Sequence, residues 1–376
     1  KEYMKQGLDQ YGVIDAIKRN EDIKRDFISS TDKIQFSTRA TRTFDEDGNE
    51  VTTHDPMFAF SDNAIGSANW FDINKTMATQ MSNKLGVPKS YWEKCLKSAP
   101  LLLKENVDHW LYENPKTMMV RTLGDTGRAF LSDRYARYDH FDVLEKVMPI
   151  MSQWNMEFRD SYITDDKMYL RATFPTMERD ISARQKGDVV RLGIMISNSE
   201  TGMGQLQAGP IIERLVCLNG MVVTDTKYAI KRKHLGSKLE NAVDREILRE
   251  ETIVQQDRAW LMTFEDHMGN LFNGTTFEEI TDKIIGSQDS AEVERAAVGV
   301  NEITKRYKFS ERETEDILEA FLSGGDRTKW GMSNAITNAA QKRVSADRAV
   351  EMEAIGWNVM NMPARRWDEV AFAEAA

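Results

Sequence analysis

The sequence predicts an α+β protein in which an antiparallel, hairpin-rich sheet core is followed by a helix-rich C-terminal half. In the middle of the chain, apolar segments come in pairs separated by short turns, with one helical segment between the pairs. From about Leu239 to Ala354, apolar residues recur at helical spacing. Because 376 residues exceed one average domain, we divide the chain into a core domain (1–238) and a helical region (239–376). The helical region either forms a separate domain or packs on the core.

The first third of the chain predicts a hairpin turn and at least two helices. DEDGNE (45–50) is typical of a hairpin turn. KTMATQMSNKL (75–85) has helical spacing and is closed by Gly86. Residues 90–114 predict one or two helices, with Pro100 at the start of the second.

Two predicted hairpins then flank a predicted helix. The first hairpin joins strands 117–123 and 128–135, and the second joins strands 157–164 and 167–174. The helix between them covers 141–154, opens at Asp139–His140, and is expected to be kinked or interrupted at Pro149.

Two longer strands, at 189–197 and 211–219, are predicted to lie side by side in a buried sheet. The segment NSETGMGQLQAG between them contains three glycines, but not at the spacing of a dinucleotide fingerprint. Pro210 and the two isoleucines after it predict a strand where that motif needs a helix. The chain also lacks a P-loop motif. We therefore assign these glycines to turns and close backbone approach.

The C-terminal half predicts a series of helices. Their segments are LENAVDREILREETIVQQDRAWLMTFEDHM, FEEITDKII, SAEVERAAVGVNEITKRY, SERETEDILEAFL and TKWGMSNAITNAAQKRV. Ser290 and Ser310 are predicted N-caps, and Glu313 completes a capping box with Ser310. Trp330 and Trp357 are predicted core residues.

Composition narrows the possible functions. The net charge of -10 excludes a basic surface over the whole protein but leaves room for a local basic groove. Cys95 and Cys217 are too few for a four-cysteine zinc site or a disulfide framework, and they indicate a reducing, cytoplasmic setting. We find no long apolar run and no apolar signal core in KEYMKQGLDQYG. We also find no metal-ligand spacing among the five histidines and no G-x-S-x-G motif. We expect no membrane partner, no metal, no cofactor and no catalytic constellation.

Asn198, Glu200 and Asn219 form a predicted polar cluster at one end of the sheet. Both asparagines end apolar strands, where side-chain amides commonly cap exposed backbone groups. The functional alternative is a polar site in which Glu200 is the one ionisable member, and a lone carboxylate supports acid–base chemistry poorly.

Three basic groups lie in the β-rich half of this acidic chain. They are found in RAFLSDRYARY (128–138), RDISARQKGDVVR (179–191) and KYAIKRKHLGSK (227–238). Arginines interleaved with tyrosines suit single-stranded nucleic acid, because bases stack on rings while cations contact phosphates. Ordinary strand alternation and a solvated cationic edge strand are the alternatives. The predicted contacts are Arg128, Arg134, Tyr135, Arg137, Arg191, Lys227, Lys231, Arg232, Lys233 and His234.

Several ordered segments resemble a phage/plasmid-like protein family known as domain of unknown function 932. They are LLLKENVDHWLYE (101–113), VRTLGDTGRAFLSDRYARYDHFDVL (120–144), GDVVRLGIMISNSETGMG (187–204), RLVCLNGM (214–221) and KRKHLG (231–236). The resemblance covers roughly residues 25–360. Ala136 and His140 depart from the family pattern, which favours a polar or basic residue and an asparagine there, so we do not expect chemistry at either position.

The resemblance implies an origin in a mobile element but no established activity. We expect an oligomeric, non-enzymatic protein that binds or anneals single-stranded DNA in recombination or replication. One alternative is a structural or assembly protein that self-associates without nucleic acid. The other is an enzyme that acts on a small ligand or nucleotide near Glu200 and His234.

Overall fold

The computed structural model of the chain describes residues 8–374 apart from 45–47, 62–68, 136, 160, 183–186, 217–218, 233–254, most of 255–273, and 344. The described residues form 11 helices and 13 strands. Neighbouring strands run antiparallel, except that β4 and β6 of the first sheet are parallel. The predicted α+β class is confirmed.

The first sheet has six strands in the order β1-β5-β6-β4-β3-β2. They are β1 (Lys24–Ser30), β2 (Ile34–Phe44), β3 (Glu50–Phe60), β4 (Phe71–Ile73), β5 (Thr117–Leu123) and β6 (Thr126–Ser132). β2 and β3 form a long hairpin in which Phe44 lies opposite Glu50, which confirms the hairpin predicted around residues 45–50. β5 and β6 form the hairpin predicted from strands 117–123 and 128–135.

Three helices cover one face of the first sheet: α2 (Lys75–Leu85), α3 (Lys89–Ser98) and α4 (Pro100–Glu113). Both helix predictions for this region are confirmed. Gly86 ends α2 in the left-handed conformation at φ 69°, which favours a residue without a side chain. Leu103, Val107 and Leu111, spaced four residues apart, form the face of α4 that packs on the sheet.

The second sheet continues the chain after α5 (His140–Gln153), which carries Pro149 within the helix. Its strands are β7 (Glu157–Phe158), β8 (Tyr162–Ile163), β9 (Met168–Asp180), β10 (Val189–Asn198), β11 (Leu206–Arg214), β12 (Asn219–Val222) and β13 (Ile230–Arg232). The strand order is β12-β11-β10-β9-β7, with β13 paired to β11 and β8 to β9. β10 and β11 are adjacent, as predicted.

The predicted strand 211–219 is wrong in its bounds. β11 already begins at Leu206 and runs through Pro210, and Asn219 begins β12 instead of ending a strand. Pro210 is tolerated because β12 pairs with residues 211–214 and β13 with residues 206–208. The N–H that proline lacks would point to the gap between them.

Six helices follow in the C-terminal part: α6 (Gly274–Gln288), α7 (Ala296–Tyr307), α8 (Glu311–Gly324), α9 (Lys329–Gln341), α10 (Ala346–Met360) and α11 (Ala364–Ala371). The capping box of Ser310 and Glu313 is confirmed. The N-cap predicted at Ser290 is wrong, because α7 begins at Ala296 and the Ser290 hydroxyl accepts a hydrogen bond from the Lys329 N–H. The helices predicted within 239–254 lie outside the described residues.

The helical region packs partly on the second sheet. Trp330 and Trp357, both predicted as core residues, are buried in the same apolar cluster as β-strand residues Leu170 and Ile194. The five helices α7, α8, α9, α10 and α11 share a separate apolar cluster. The predicted boundary between residues 238 and 239 lies outside the described part of the chain. None of the helices in the described part combines the length and the apolar composition that a membrane span requires.

Candidate functional site

Glu200, in the loop between β10 and β11, lies inside the molecule with 3% of its surface exposed. The Arg128 Nη2 donates to its Oε2 at 2.5 Å, and the backbone N–H of His140 donates to its Oε1 at 2.7 Å. Asp139 is the N-cap residue of α5 but makes no side-chain cap. The Glu200 carboxylate therefore caps this helix from a distant loop and gains from the helix dipole.

Further charged groups surround Glu200, so it is not the lone carboxylate of the sequence prediction. Arg121 is fully buried and contacts Asp26, Asp139 and the backbone oxygen of Glu200, at 2.7–3.0 Å. The Lys24 Nζ lies 2.5 Å from both Asp139 and Glu21 and 3.8 Å from Glu200. We call Lys24, Asp26, Arg121, Arg128, Asp139 and Glu200 the buried charge cluster.

The cluster keeps Glu200 and Asp139 ionised. Burial alone would raise the pKa of Glu200, but the surrounding positive charges, including Arg128 and Lys24, hold that pKa well below its usual range. At Asp139, burial alone would also raise the pKa, but the charges of Arg121 and Lys24 lower it below its usual range. Both groups are therefore anions at neutral pH and accept hydrogen bonds.

Glu21, Asp139 and Glu200 bring carboxylate oxygens within 4.8 Å of one another, and they form the one such group found among the described residues. The Lys24 ammonium already contacts all three at ion-pair distance. A lysine thus supplies the positive charge that a metal would supply, and the geometry does not call for an ion.

His140 has a defined tautomer. The Asn198 Nδ2 donates to the Tyr138 carbonyl oxygen at 2.7 Å and lies 3.0 Å from the His140 Nδ1. Because the amide nitrogen carries only hydrogens, Nδ1 must accept, and the ring proton is on Nε2. Burial lowers the pKa of His140, so the ring is neutral at pH 7. Asn198, the last residue of β10, thus donates to a backbone carbonyl at this end of the strand.

A cavity of about 690 Å³ borders the buried charge cluster. Arg128 and His140 line it, together with Arg19 and Asn20 of α1 (Gln10–Ile23). Sequence reasoning missed this cavity because its walls come from segments that are far apart in the chain.

Among the predicted nucleic-acid contacts that the structure describes, not all are exposed. Arg128 is 6% and Tyr135 is 7% exposed, and the Tyr135 hydroxyl donates to the Ser199 carbonyl at 3.0 Å. Because both side chains are buried, neither is accessible to a nucleic-acid strand bound at the protein surface. Arg134 and Arg137 are exposed on the segment after β6.

The second and third basic groups are partly neutralised and far apart. Arg191 pairs with Glu178 at 2.5 Å, and Lys227 pairs with Glu279 at 2.6 Å. Along β11, Arg191 lies opposite Glu213 and Lys231 opposite Gln207, which separates them by about 20 Å at roughly 3.3 Å per residue. Lys231 is exposed.

Four predicted site residues have no described side chain. Lys233 and His234 lie outside the described residues, and for Arg232 and Asn219 the structure gives only their places in β13 and β12. The nucleic-acid role of the whole set stays a prediction.

A basic pocket on the first sheet was not singled out by the sequence. Lys84, Trp110 and Lys116 line a pocket of about 130 Å³, and the Trp110 side chain is 45% exposed. Lys84 lies in the last turn of α2, and the chain at Lys116 is fixed by two hydrogen bonds to Thr31. Neither lysine forms an ion pair with any described residue. We call these three residues the Lys–Trp pocket.

The segment that carries this pocket is basic although the protein is acidic. Residues 75–116 contain seven lysines and four acidic residues, against a net charge of -10 for the whole chain. Tyr91 and Tyr112 are also exposed there, at 38% and 46%. The helical layer on the first sheet therefore combines unpaired cations with accessible aromatic rings.

Comparison with known proteins gives one match. The family model described as "Domain of unknown function (DUF932)" matches residues 129–361, more than half of the chain. No curated protein and no solved structure matches.

Proposed function

Since the chain belongs to the DUF932 family, to which no function is assigned, we propose a function from its surface chemistry: it binds single-stranded nucleic acid at the Lys–Trp pocket. The setting we propose is recombination or replication in a phage or plasmid. The proposal keeps the ligand class expected from the sequence and moves its contacts from the three basic groups to the helical layer.

The observation that supports this proposal is the convergence of Lys84, Trp110 and Lys116 on one pocket. An exposed indole offers a flat face on which a base can stack, and two ammonium groups without carboxylate partners can contact the phosphates on either side. A surface used only for solubility would more often have its lysines interspersed with acids.

The same geometry favours single strands over duplexes. The pocket is small, at about 130 Å³, and its aromatic wall is the side chain of Trp110. Stacking on a protein ring requires an unstacked, unpaired base, which a duplex does not offer without an energetic cost. Sequence preference should be weak, because every base has a stacking face.

Fluorescence anisotropy with a labelled oligonucleotide, single- and double-stranded, at two or more salt concentrations tests the proposal. Trp110→Ala should weaken single-strand binding by about 1–3 kcal/mol, or about 5- to 150-fold, the range for one stacked base. Removing both lysines (Lys84→Ala with Lys116→Ala) should lower the salt slope by about 1.4, at about 0.7 per phosphate contact on single strands.

Two matched controls come from the same chain. Trp70 is 41% exposed, close to the exposure of Trp110, and does not line the pocket. Lys18 is exposed on α1 and is also outside the pocket. Trp70→Ala and Lys18→Ala should bind as the parent does. An absence of binding at low salt, or equal losses in the controls, would contradict the proposal.

Self-association is a second candidate, favoured by the outer part of the β2–β3 hairpin. Residues 37–44 and 50–57 pair with each other, and none of them is buried. Phe44 is 76% exposed and Val51 39% exposed near the tip. Because an isolated two-stranded hairpin is only marginally stable in water, a second copy of the chain covering this arm would stabilise it.

Light scattering after gel filtration distinguishes self-association from nucleic-acid binding. Replacing residues 39–55 with Asn-Gly shortens the hairpin while keeping the sheet register between Thr38 and Pro56. The shortened chain should be a monomer if the arm joins copies. An unchanged mass would remove this candidate and leave the Lys–Trp pocket untouched.

The enzyme alternative gains less from the structure. It paired Glu200 with His234, which lies outside the described residues. Glu200 is held by Arg128 with a pKa well below its usual range, owing to the positive charges that outweigh burial. A carboxylate so stabilised is a weak base and carries no proton to donate at neutral pH.

A further inference from the structure

We propose that the cavity beside the buried charge cluster binds a mononucleotide, with its phosphate on Arg128, Arg19 and His140. The inference is separate from the nucleic-acid proposal. It concerns a cavity between α1, β6 and α5, whereas the Lys–Trp pocket is formed by α2, α4 and the start of β5.

Arg128 is the main reason to expect an anion. Its side chain lines the cavity although the residue is only 6% exposed, and within the described residues its one hydrogen bond goes from Nη2 to Glu200. The Nε is buried without a hydrogen-bond partner. A buried guanidinium rarely leaves donors unused, because each unsatisfied group has a desolvation cost. An anion in the cavity would supply an acceptor to the part of this guanidinium that lines it, and arginine is a common phosphate ligand.

His140 adds a second donor of fixed orientation. Its Nδ1 accepts from Asn198, so its Nε2 carries the proton, and the residue lines the same cavity. A neutral ring can donate one hydrogen bond to an anion without introducing a second buried charge. Arg128 donates to the Glu200 carboxylate through its side chain, and His140 donates to it through its backbone N–H. The shared carboxylate keeps the two residues close together.

The α1 wall and the size of the cavity favour a nucleotide over a bare anion. Arg19 adds an exposed cation and Asn20 adds an amide. Asn74 adds a second amide, whose oxygen already accepts from the Met77 N–H. A volume of about 690 Å³ far exceeds that of phosphate and lies within the range for small-molecule sites, roughly 300–1,000 Å³. Leu123 and Ile163 provide apolar wall for a base.

Calorimetry on the full chain with four probes tests this inference: a set of nucleoside 5′-monophosphates, the matching nucleosides, inorganic phosphate and citrate. We expect at least one monophosphate to bind and its nucleoside to bind at least about tenfold more weakly. Arg19→Ala should weaken monophosphate binding about tenfold, as expected when one charge-assisted hydrogen bond is lost. Arg19 is exposed and forms no ion pair within the described chain, so this variant should fold.

Controls locate the binding and separate the two proposals. Lys18→Ala changes the neighbouring exposed cation on α1 and should bind as the parent does. The Lys84→Ala, Lys116→Ala variant should also keep its monophosphate affinity, even where it loses oligonucleotide binding. The inference is overturned if no monophosphate binds at millimolar concentration, or if phosphate or citrate binds as tightly as every monophosphate. It is also overturned if Arg19→Ala has no effect, or if the double lysine variant loses monophosphate binding.

Discussion

Replacing Glu200 by glutamine should destabilise the protein by about 3–5 kcal/mol. The change keeps the size of the side chain and the acceptor for the His140 N–H, but it removes the negative charge 2.5 Å from the Arg128 Nη2. Arg128 then stays buried as an uncompensated cation. Removing one partner of a buried ion pair in this way costs about 3–5 kcal/mol. The Lys24 ammonium, 3.8 Å away, loses part of its compensation as well.

Urea unfolding followed by circular dichroism measures this loss, with Glu178→Gln as the matched control. Glu178 also contacts an arginine at 2.5 Å, but its side chain is 37% exposed. A surface ion pair contributes about 0–1 kcal/mol, so the control should lose at most that amount. The double variant Glu200→Gln, Arg128→Met should recover part of the loss, since no unpaired charge remains. A Glu200→Gln variant as stable as the control would refute the reasoning that burial makes this pair critical.

Three further predictions concern stability. His140 and Glu200 have folded pKa values below their ordinary 6.5 and 4.5, from burial at His140 and from cationic neighbours that outweigh burial at Glu200. As the pH is lowered, the unfolded chain therefore binds these protons before the folded chain does. The free energy of unfolding should decrease below about pH 6.5 and again below about pH 4.5. In urea titrations, His140→Asn should lack the first decrease. Gly202→Ala should cost about 1–2 kcal/mol in thermal unfolding, because φ is 76° and the added Cβ would lie 2.8 Å from Leu131. Ser310→Ala should cost about 1 kcal/mol in the same assay by removing the capping box of α8, and Ser323→Ala should not.

Elements marked by local chemistry could be predicted from the sequence. Gly86 ends α2, Pro100 begins α4, and Ser310 with Glu313 caps α8, each through an interaction within one turn of the backbone. Such signals need no knowledge of the rest of the fold. The bounds of β11 could not be predicted, because Pro210 is acceptable only where two neighbouring strands leave a gap.

The buried charge cluster shows why the candidate site was only partly predicted. Glu200 was selected, but its partners come from β1, β5, β6 and α5, up to 176 residues away at Lys24. One signal was present in the sequence. Arg121 interrupts the apolar strand segment TMMVRTL, and a cation inside a buried strand needs an anion from elsewhere in the fold.

A cluster of basic residues along the chain does not always form an exposed basic patch. Arg191 lies in a run of cations along the chain, yet both neighbouring strands place glutamates beside it. Lys84, Trp110 and Lys116 are scattered in sequence and meet only because α2 and α4 pack on the same sheet. Charge that is segregated along a chain is often mixed again by strand pairing.

The buried charge cluster also determines where this chain can be cut. The family match begins at residue 129, in the middle of β6 and one position after Arg128. A shortened protein with that starting point would keep Glu200 and Asp139 but lose Lys24, Arg121 and Arg128. Asp139 and Glu200 would then be buried without these three cations, and the remaining half of β6 would lack β5, the strand that pairs with it. We therefore expect that residues 129–361 alone would not fold as they do in this chain, and that any dissection of this protein should keep the first sheet whole.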